Sequence, residues 1–547
     1  MTSRSLGHRA PLLWLVLPFI GGLTIGKVAD FSSVRWQLAL AFVGAALALA
    51  VLRRHSRLWA AAMICAMLSA GAASYGLHRV RLPGWDALPP REARLSLRVD
   101  HVFVQHDPRR ATGLATVLRA EEPVRDLAGQ RLYFSLTLRK GEPPPIRSAR
   151  LSAVGILLVL PRNPPADTFD GYLAGAGMNF RLTRGRVLSE EKPAHRYYQF
   201  CARAAARCHQ LLGIGIAEKR PALAGLLRAM MLGATHELSD EQHALFMQSG
   251  TMHLFAISGL NIGVIAAALQ ALVLALRLPT WVRFGISAAL LWLFVDITGA
   301  APSAVRAFAM AVFLQAALVL KRPANVLAGL VASAFIVLLI APLQVFSASF
   351  LMSYTIVLAL LVLGLPLAEA WLARWTPWHD RPKPAWHWWQ RAIDWVGRSL
   401  ALAFAIGVAT TLVSLLTGLQ FFRLLTPGAL LANLLLIPAA SIVTLGGFGA
   451  IVCGLSGFTF GASLCNHAAA LVLLLIEWLV RLSVQLPGAF LAAHFTRPWV
   501  GPVALVLLVA ALVEGYAGGW HLRRGGWWPP FAIVALTLIF GVKFGAG

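Results

Sequence analysis

Residues 36–52 read WQLALAFVGAALALAVL, a run of seventeen positions with one polar side chain, Gln37, and no charge. A helix needs about 20 apolar residues to cross the hydrocarbon core of a bilayer, so this run approaches the length of a membrane span. Similar runs lie on either side of it, at 11–26 and 59–76, and the sequence is apolar almost throughout from residue 252 onward. Charged residues make up 13% of the chain, against about 25% in soluble domains. The sequence therefore predicts a polytopic α-helical membrane protein with about 12–13 transmembrane helices.

Basic residues beside the first three spans predict the direction in which these spans run. Arg4 and Arg9 precede the first span, and Arg53, Arg54 and Arg57 lie between the second and the third. Lys and Arg hold the short loops of membrane proteins on the cytoplasmic side, so both clusters are expected in the cytoplasm. The N-terminus is then cytoplasmic, and the polar segment after the third span lies outside.

That polar segment, 78–196, has the pattern of short β-strands. Apolar residues alternate with polar ones in 95–99 and again in 132–138, as in strands with one buried face. Three further strand-like stretches lie near residues 113–120, 150–160 and 179–188. Five short strands in about 95 residues favour a small inserted β-barrel such as an OB-fold, with another kind of small β-domain as the alternative.

The charge of this part of the chain is strongly positive. Between residues 77 and 220 there are 24 basic side chains against 13 acidic ones, and the whole chain has a formal net charge of +25. Basic loops explain part of the excess, because they are ordinary in membrane proteins. The remainder is a positive field of the kind that attracts polyanions.

Three further segments flank the β-domain. Residues 1–77 contain the first three spans, and residues 251–547 supply the others. In 197–250 basic residues interrupt an apolar helical pattern, which indicates amphipathic helices at the membrane surface. A polar insert at 371–395 is rich in tryptophan. Indole rings prefer the headgroup layer, so the insert is interpreted as an interfacial anchor, with a stacking platform for nucleic-acid bases as the alternative.

The stretch TMHLFAISGLNIG contains the densest group of polar residues in the apolar part of the chain. His253, Ser258 and Asn261 are costly in hydrocarbon unless they face one another or water, and Gly259 allows the helix to break. Broken helices at membrane depth form the binding sites of many transporters. We therefore expect a break near Ser258 and a polar path lined by these four residues, with Leu254 facing lipid. A packing face of small residues is the alternative.

Polar residues of three later spans are candidates for the same path: Ser303, Arg306, Ser353 and Asn433. Arg306 lies one turn into a helix that Pro302 is expected to start. Its guanidinium is interpreted either as a phosphate contact in the path or as a side chain that reaches the headgroups.

The remaining ionisable residues of the spans do not suggest chemistry. Asp296 and His467 are isolated in the sequence and are interpreted as packing residues, and Glu477 and Arg481 are spaced to neutralise each other. The chain has no GxSxG, HExxH or P-loop motif and no HxHxDH cluster. We therefore expect no catalytic residue, no metal site and no cofactor.

Several of these stretches resemble motifs of the ComEC family of competence proteins. The family's most specific stretch reads approximately HLLAISGLHIG, and this chain has HLFAISGLNIG from His253 to Gly263. Four other stretches resemble family motifs in the same order along the chain: FDGYLAGAGM from Phe169, TGAAPSAVRA from Thr298, SFLMSY from Ser349 and LANLLLIP from Leu431. The resemblance covers about residues 10–490.

The resemblance implies a channel subunit for the uptake of single-stranded DNA during natural transformation, embedded in the inner membrane of a bacterial cell. An extracytoplasmic OB-like domain would receive one strand, and the helical part would pass it inward. On this interpretation Arg98, Arg131, Arg139 and Lys140 of the β-domain contact DNA. The family also implies an external DNA receptor, a nuclease that removes the other strand and a cytoplasmic helicase-like ATPase as partners, and a homo-oligomer is a further alternative.

Three departures from the family pattern limit what the resemblance implies. Asn261 stands where the family usually has His, and Leu351 replaces the usual Gln, which weakens any metal or proton role at the first position and removes a polar group at the second. The sequence ends at Gly547 without the metallo-β-lactamase-like domain of many members, so we expect no nuclease activity in this polypeptide. The alternatives are a transporter or scaffold for another envelope solute or complex, and a degenerate paralogue that conducts no DNA.

Overall fold

The structure is a computed structural model of a helical bundle that carries a small β-barrel. It describes residues 10–29, 33–52, 55–79, 85, 89–103, 107, 109–121, 125–321, 325–378, 384, 386–486, 488–520 and 527–545. Four of the basic residues that predict the orientation of the first spans, Arg4, Arg9, Arg53 and Arg54, lie outside these residues.

The first three spans form an N-terminal helical unit. The helices are α1 (Leu13–Val28), α2 (Val34–Val51) and α3 (Ser56–His78). Glycines bring α1 and α3 into close contact, because a Cβ on Gly22 or on Gly71 would overlap the backbone of the other helix. Small residues of this kind drive helix association in membranes, where burial of apolar surface supplies little.

The predicted β-domain is a closed five-stranded barrel, which confirms the OB-like interpretation. Its strands are β1 (Arg91–Phe103), β2 (Arg110–Ala120), β3 (Arg131–Thr137), β4 (Arg150–Val159) and β5 (Phe180–Lys192). The order around the barrel is β1-β2-β3-β5-β4, with β3 and β5 parallel and all other pairs antiparallel. The apolar side chains of each alternating pattern point inward and are buried. A short helix, α4 (Phe169–Gly175), lies between β4 and β5.

Three helices connect the barrel to the main bundle: α5 (Arg196–Leu211), α6 (Pro221–Leu232) and α7 (Asp240–Gln248). A position at the membrane surface stays a prediction for α5, which is amphipathic and carries Arg203 and Arg207 on its exposed side. It is wrong for α6, which is buried on nearly every side in the core of the bundle. The physical reason is that Arg228, the only charged residue of α6, is neutralised by Glu237 at 3.1 Å and leaves an otherwise apolar helix.

The main bundle contains twelve further helices of the described part of the chain: α8 (Met252–Phe255), α9 (Gly259–Ala275), α10 (Thr280–Ile297), α11 (Pro302–Val319), α12 (Val326–Ile340), α13 (Ala348–Ala359), α14 (Leu365–Arg374), α15 (Trp388–Phe422), α16 (Ala429–Leu455), α17 (Thr459–Gln485), α18 (Val500–Ala517) and α19 (Pro529–Phe540). A π-helical turn joins α13 to α14 without a break. Within the described ranges nine helices are long and apolar enough to cross a membrane, and five shorter ones are also apolar. This confirms a polytopic membrane protein.

A small sheet joins the ends of three bundle helices. Its strands are β6 (Leu424–Leu425), β7 (Leu491–Phe495) and β8 (Val542–Phe544), and both pairs are antiparallel. Each begins within six residues of the end of α15, α17 or α19, so these three helices end on the same side of the bundle.

Five helices of the bundle close a ring in which each packs against the next, in the order α9, α11, α13, α15, α16 and back to α9. We refer to them as the five-helix ring. A specific contact marks each joint. These contacts are Ile257 with Ser303, Arg306 with Ser349, Gly364 with Ala409, Gly407 with Leu430, and Asn261 with Thr444. Of these residues, Ile257 lies just before α9 and Gly364 lies in the π-helical turn after α13.

Candidate functional site

The predicted break in the polar span is present. Helix α8 ends at Phe255 and α9 begins at Gly259, and the backbone between them is extended, with φ −89° and ψ 155° at Ala256 and φ −102° and ψ 161° at Ser258. Ser258 caps α9, because its Oγ accepts a hydrogen bond of 3.2 Å from the backbone N–H of Asn261. Ser and Thr stabilise helix N-termini in this way.

Ser303 supports the same break from the neighbouring helix. Its hydroxyl donates a hydrogen bond of 2.6 Å to the carbonyl oxygen of Ile257, which the interruption leaves without a helical partner. Unsatisfied backbone groups are costly inside a membrane, so this bond stabilises the interruption. Pro302 occupies the first turn of α11, as predicted, and places Ser303 beside the break.

Asn261 is buried at the joint of three helices, with 2% of its surface exposed. Its Nδ2 donates to the carbonyl oxygen of Met230 on α6 at 3.2 Å, and its Oδ1 lies 3.3 Å from the hydroxyl of Thr444 on α16. The side chain is therefore engaged with protein in this conformation. A role for Asn261 in lining a path stays a prediction.

Arg306 has 1% of its surface exposed and is the largest fully buried side chain of the described residues. Its Nη2 donates to the backbone oxygen of Ser349 at 2.8 Å and to the hydroxyl of Ser349 at 2.7 Å. Its Nε and Nη1 are buried and have no hydrogen-bond partner among the described residues. The interpretation as a side chain that reaches the headgroups is wrong, because Ser349 holds the guanidinium in a buried contact between α11 and α13.

The remaining candidates of the path are more scattered. His253 is exposed, with Nδ1 3.0 Å from the Gly250 carbonyl oxygen, and Ser353 is half-buried one turn beyond Ser349. The Oδ1 of Asn433 is buried, and no described residue hydrogen-bonds to it. Asn433 lies eleven residues before Thr444 on α16, which is about 16 Å along the helix axis. It is thus not part of the group around the break.

A glycine and a leucine complete the stretch. A Cβ on Gly259 would lie 3.7 Å from the Cβ of Ala307, which is an ordinary van der Waals contact, so the packing of α9 against α11 does not require a glycine at this position. Leu254 is 1% exposed and belongs to the core of the bundle. The expectation that Leu254 faces lipid is wrong, since α8 is a single turn surrounded by other helices rather than the start of a lipid-facing span.

Two of the four predicted DNA contacts lie in one row across the barrel. The strand register places Arg98 of β1 opposite Thr116 of β2, and Thr116 opposite Arg131 of β3. On the other side of Arg98 the row continues through Arg150 of β4 and Lys192 of β5. Arg98, Arg150 and Lys192 are exposed, whereas Arg131 is half-buried. We refer to these five residues as the basic row.

The carboxylate of Asp100 lies beside the basic row. Asp100 accepts a hydrogen bond of 3.3 Å from Arg98 and one of 2.6 Å from Thr116. Burial lowers the pKa of Arg131 from its ordinary value, Asp100 opposes that shift, and Arg98 adds to it. Asp100 therefore offsets part of the repulsion between the two guanidinium groups without removing their net positive charge.

The other two predicted DNA contacts, Arg139 and Lys140, lie elsewhere on the barrel. Both are exposed and follow the end of β3, where Leu138 bonds to the backbone of Arg109. Arg150 and Lys192 of the basic row were not among the predicted contacts. Their strands were predicted, but the register that aligns them with Arg98 depends on pairing between distant segments.

Asp296 is not isolated, which corrects the interpretation from the sequence. Its Oδ1 accepts from Nη1 of Arg147 at 3.0 Å, and its Oδ2 accepts from the hydroxyl of Tyr197 at 2.8 Å. Burial, and then the hydrogen bond to Asp296, raise the pKa of Tyr197 well above its ordinary value. Arg147 belongs to the loop before β4, so the contact joins the barrel to the bundle. Glu477 and Arg481 form the expected ion pair at 2.8 Å.

The described residues contain no group of three or more His, Cys, Asp or Glu side chains close enough to hold a metal ion. The site consists instead of basic and hydroxyl-bearing side chains. Groups of this kind bind anions by charge and by hydrogen bonds.

Comparisons with known proteins point in one direction. The family model described as "Competence protein" matches residues 230–516, which include every helix of the five-helix ring. The chain is also similar to ComE operon protein 3 of Bacillus subtilis (strain 168), with 32% identity over 143 residues. That alignment covers 26% of this chain and 18% of the relative, so the chain spans less than a fifth of the relative's length there. No solved structure matches.

Proposed function

We propose, from the premise that this chain belongs to the ComEC family of competence proteins, that it is a membrane channel subunit for the uptake of single-stranded DNA during natural transformation. The protein is a multi-pass membrane protein. In the proposal it lies in the inner membrane of a bacterial cell, with its N-terminus in the cytoplasm and its barrel outside.

The proposed path runs through the five-helix ring. Seven of the eight path residues predicted from the sequence lie on the ring helices or at the break next to α9, and the eighth, His253, lies on α8 just before that break. Backbone that is not helical is tolerated at membrane depth where it lines a cavity or is buried in protein. The break at Ala256–Ser258 therefore suits the wall of a path.

The buried guanidinium of Arg306 is the observation that carries the proposal. No described carboxylate forms a salt bridge with it, and two of its nitrogen atoms have no partner among the described residues. An unpaired buried charge is strongly destabilising, and a ligand that supplied the opposite charge would remove that cost. A phosphodiester carries that charge, and a guanidinium binds phosphate oxygens with two parallel hydrogen bonds.

The closed surroundings of Arg306 indicate a resting state. Its unpartnered nitrogen atoms are buried, so a phosphate reaches them only after the ring opens. The hydrogen bonds from Arg306 to Ser349 join α11 to α13. In the proposal a phosphate replaces Ser349 as the partner of Arg306 while a strand passes, which makes opening depend on an anion.

The barrel supports a first contact with the strand. The basic row presents charge along one line around its outer surface. OB-folds bind single strands through a basic groove, and binding to phosphates requires no particular base sequence. The proposed partners are an external DNA receptor, a nuclease, a helicase-like ATPase and, for a complete pore, further copies of this chain.

A clean deletion strain of the host bacterium tests the proposal. Cells are incubated with labelled duplex DNA, and surface-bound label is separated from label that is protected against added nuclease. We expect deletion to abolish protected label and to leave bound label unchanged, and the wild-type gene to restore uptake. Normal protection without the gene would overturn the proposal.

Purified protein in proteoliposomes distinguishes DNA from other polyanions. We expect entry of a labelled single-stranded oligonucleotide and no entry of the matched duplex. Empty liposomes and liposomes with an unrelated membrane protein are the controls. Equal entry of a carbohydrate polyanion and exclusion of the oligonucleotide would favour the alternative of a transporter for an envelope solute.

A further inference from the structure

Three contacts between described residues of the barrel and of the bundle lie next to the ends of ring helices. The first is Asp296, in the last turn of α10, just before the turn that leads into α11. The second is Ser347, directly before α13, and the third is Arg423, directly after α15. Helices α11, α13 and α15 are consecutive in the ring. The barrel therefore lies over one side of the ring at the end where α11 and α13 begin.

The contact at Asp296 is the best buried of the three. The carboxylate has 2% of its side-chain surface exposed and accepts from Arg147 of the barrel and from Tyr197 of α5. The guanidinium of Arg147 also lies over the ring of Tyr198, 4.8 Å from its centroid. A buried carboxylate with both oxygens bonded fixes the geometry of the contact, because each partner must occupy one position.

In the contact at Arg423 the charges are exchanged relative to the contact at Asp296. There the bundle supplies the cation and the barrel supplies the anion, and Arg423 Nε lies 2.6 Å from Oδ2 of Asp167. Arg423 has 57% of its side-chain surface exposed. Exposed ion pairs contribute little to stability, so this contact orients the barrel more than it holds it.

The contact at Ser347 is a close approach of two backbones. A Cβ built on Gly175, at the end of α4, would lie 3.6 Å from the Cβ of Ser347. Ser347 also caps α13, since its Oγ accepts from the backbone N–H of Phe350 at 3.2 Å. The end of α4 thus touches the residue that caps α13, two residues before the Ser349 that binds Arg306.

We infer that the barrel is a fixed entrance, seated on the end of α10 before α11, on the start of α13 and on the end of α15, and that Asp296 is the residue that positions it over the ring. This inference rests on the proposed function only for the statement that DNA is the molecule that enters. The contacts between the barrel and the bundle do not depend on DNA. The basic row then keeps one orientation relative to Arg306, and the strand passes from barrel to ring without movement of the barrel.

A disulfide across the seat tests the inference. Cβ atoms 3.6 Å apart lie within the range of natural disulfides, so the pair Gly175→Cys and Ser347→Cys is expected to form one under mild oxidation. The five native cysteines, all free, are first replaced by serine or alanine. Each single cysteine variant is the control for the loss of Gly175 or of the Ser347 cap.

Two measurements on this pair are decisive. We expect a high yield of the disulfide in membranes without DNA, and we expect nuclease-protected DNA uptake to continue after oxidation. A low yield would overturn the seating. A high yield with uptake that stops on oxidation and returns with dithiothreitol would overturn the fixed entrance, because it would mean that the barrel must move. If the unmodified protein imports no DNA, the proposed function fails, and the yield alone still decides the seating.

Variants of Asp296 test its role as a positioning residue. Asp296→Asn keeps the shape of the side chain but removes its charge, so the yield of the engineered disulfide should fall at least about twofold, since bonds to charged groups are the stronger ones. Asp296→Glu, which restores the carboxylate, should recover most of the yield. An unchanged yield in Asp296→Asn, at equal amounts of inserted protein, would mean that Asp296 only stabilises the fold.

Discussion

Positive charge is exposed on the barrel and buried in the ring. Arg98 of the basic row has half of its side-chain surface exposed, at 50%, and shares its charge with Asp100 and the solvent. Arg306 of the ring has 1% of its surface exposed and bonds only to Ser349 among the described residues. Exposed charges attract a polyanion from a distance, are screened by salt and are replaceable by their neighbours. A buried unpaired charge acts only on a group that touches it, and no neighbouring charge can replace it. The exposed charges of the barrel therefore suit the first binding of a polyanion, and the buried charge of the ring suits its passage.

The largest effect on DNA uptake is expected for Arg306→Gln. The substitution removes the cation at this joint of the ring and keeps a polar side chain there. We expect nuclease-protected uptake to fall about 10- to 100-fold, since hydrogen bonds to charged groups are worth about 1.5–3 kcal/mol, while surface-bound DNA stays constant. Arg306→Lys should retain part of the uptake. Uptake at the wild-type level in Arg306→Gln would exclude Arg306 from the path.

The triple variant Arg98→Gln, Arg150→Gln, Lys192→Gln tests the exposed positive charge of the barrel. Binding of single-stranded DNA to the full chain in nanodiscs should weaken, because three exposed cations of the basic row are lost. The slope of log K against log salt should decrease by about 2, at about 0.7 for each lost phosphate contact.

The matched control for this triple variant is Arg139→Gln with Lys140→Gln, at the other basic site of the barrel. We expect it to change the slope less. An equal change per residue in the two variants would mean that DNA binds the whole surface of the barrel rather than the basic row.

Asn261→Ala distinguishes two roles of Asn261, namely structural support of the break between α8 and α9 and contact with the DNA strand. The substitution leaves the Met230 carbonyl oxygen without its partner, so we expect the free energy of unfolding to fall by about 1–3 kcal/mol. Thermal unfolding in detergent measures it. The control is Asn433→Ala, which removes an oxygen that no described residue bonds and should cost less. A stable Asn261→Ala protein that imports no DNA would instead make Asn261 a contact in the path.

The smallest expected effect concerns pH at the seat of the barrel. Burial, and then Arg147, lower the pKa of His101 below its ordinary value of 6.5, although a hydrogen bond with the Gly299 backbone opposes the shift. The ring of Phe103 lies beside it, with centroids 5.1 Å apart. As the pH falls, His101 therefore takes up a proton more readily in the unfolded chain than in the folded one. The contribution of His101 to stability is complete above pH 6.5 and decreases as the pH falls below that value.

Thermal unfolding measures this effect better than formation of the engineered disulfide, which needs a thiolate and is slow at low pH. The measurement runs from about pH 7.5 to about pH 5, an interval that includes the ordinary histidine pKa. His101→Gln should remove part of the pH dependence in this interval. An identical pH dependence in both proteins would show that His101 contributes nothing to it.

The barrel was predictable from the sequence because its signal is local. An inward residue such as Leu97 or Leu132 is recognised by its polar neighbours on either side, and all five strands were found within a few residues of their ends. The break before Gly259 was predictable for the same reason, because a glycine after a serine in an apolar run is a local signal. The basic row was not, since the alignment of Arg150 with Arg98 arises from pairing of strands about fifty residues apart.

The bundle shows where sequence reasoning fails in a membrane protein. Almost every residue there is apolar, so composition does not distinguish a helix that faces lipid from one that is surrounded by protein. Leu254 and the helix α6 were assigned to the wrong surroundings for that reason. Asp296 was considered isolated because its partner Arg147 is 149 residues away and belongs to the other part of the molecule.

The small sheet of β6, β7 and β8 has a consequence for how the chain is made. Its strands come from segments that the ribosome releases far apart in time, since Leu425 precedes Leu491, and Phe495 precedes Val542, by dozens of residues. At a translation rate of about 5–20 residues per second, several seconds pass between the synthesis of β6 and that of β7, and again between the synthesis of β7 and that of β8. Unpaired strand edges are prone to wrong pairing during such a delay. Helices α15 to α19 therefore reach their final arrangement only when the last strand of this sheet has been synthesised.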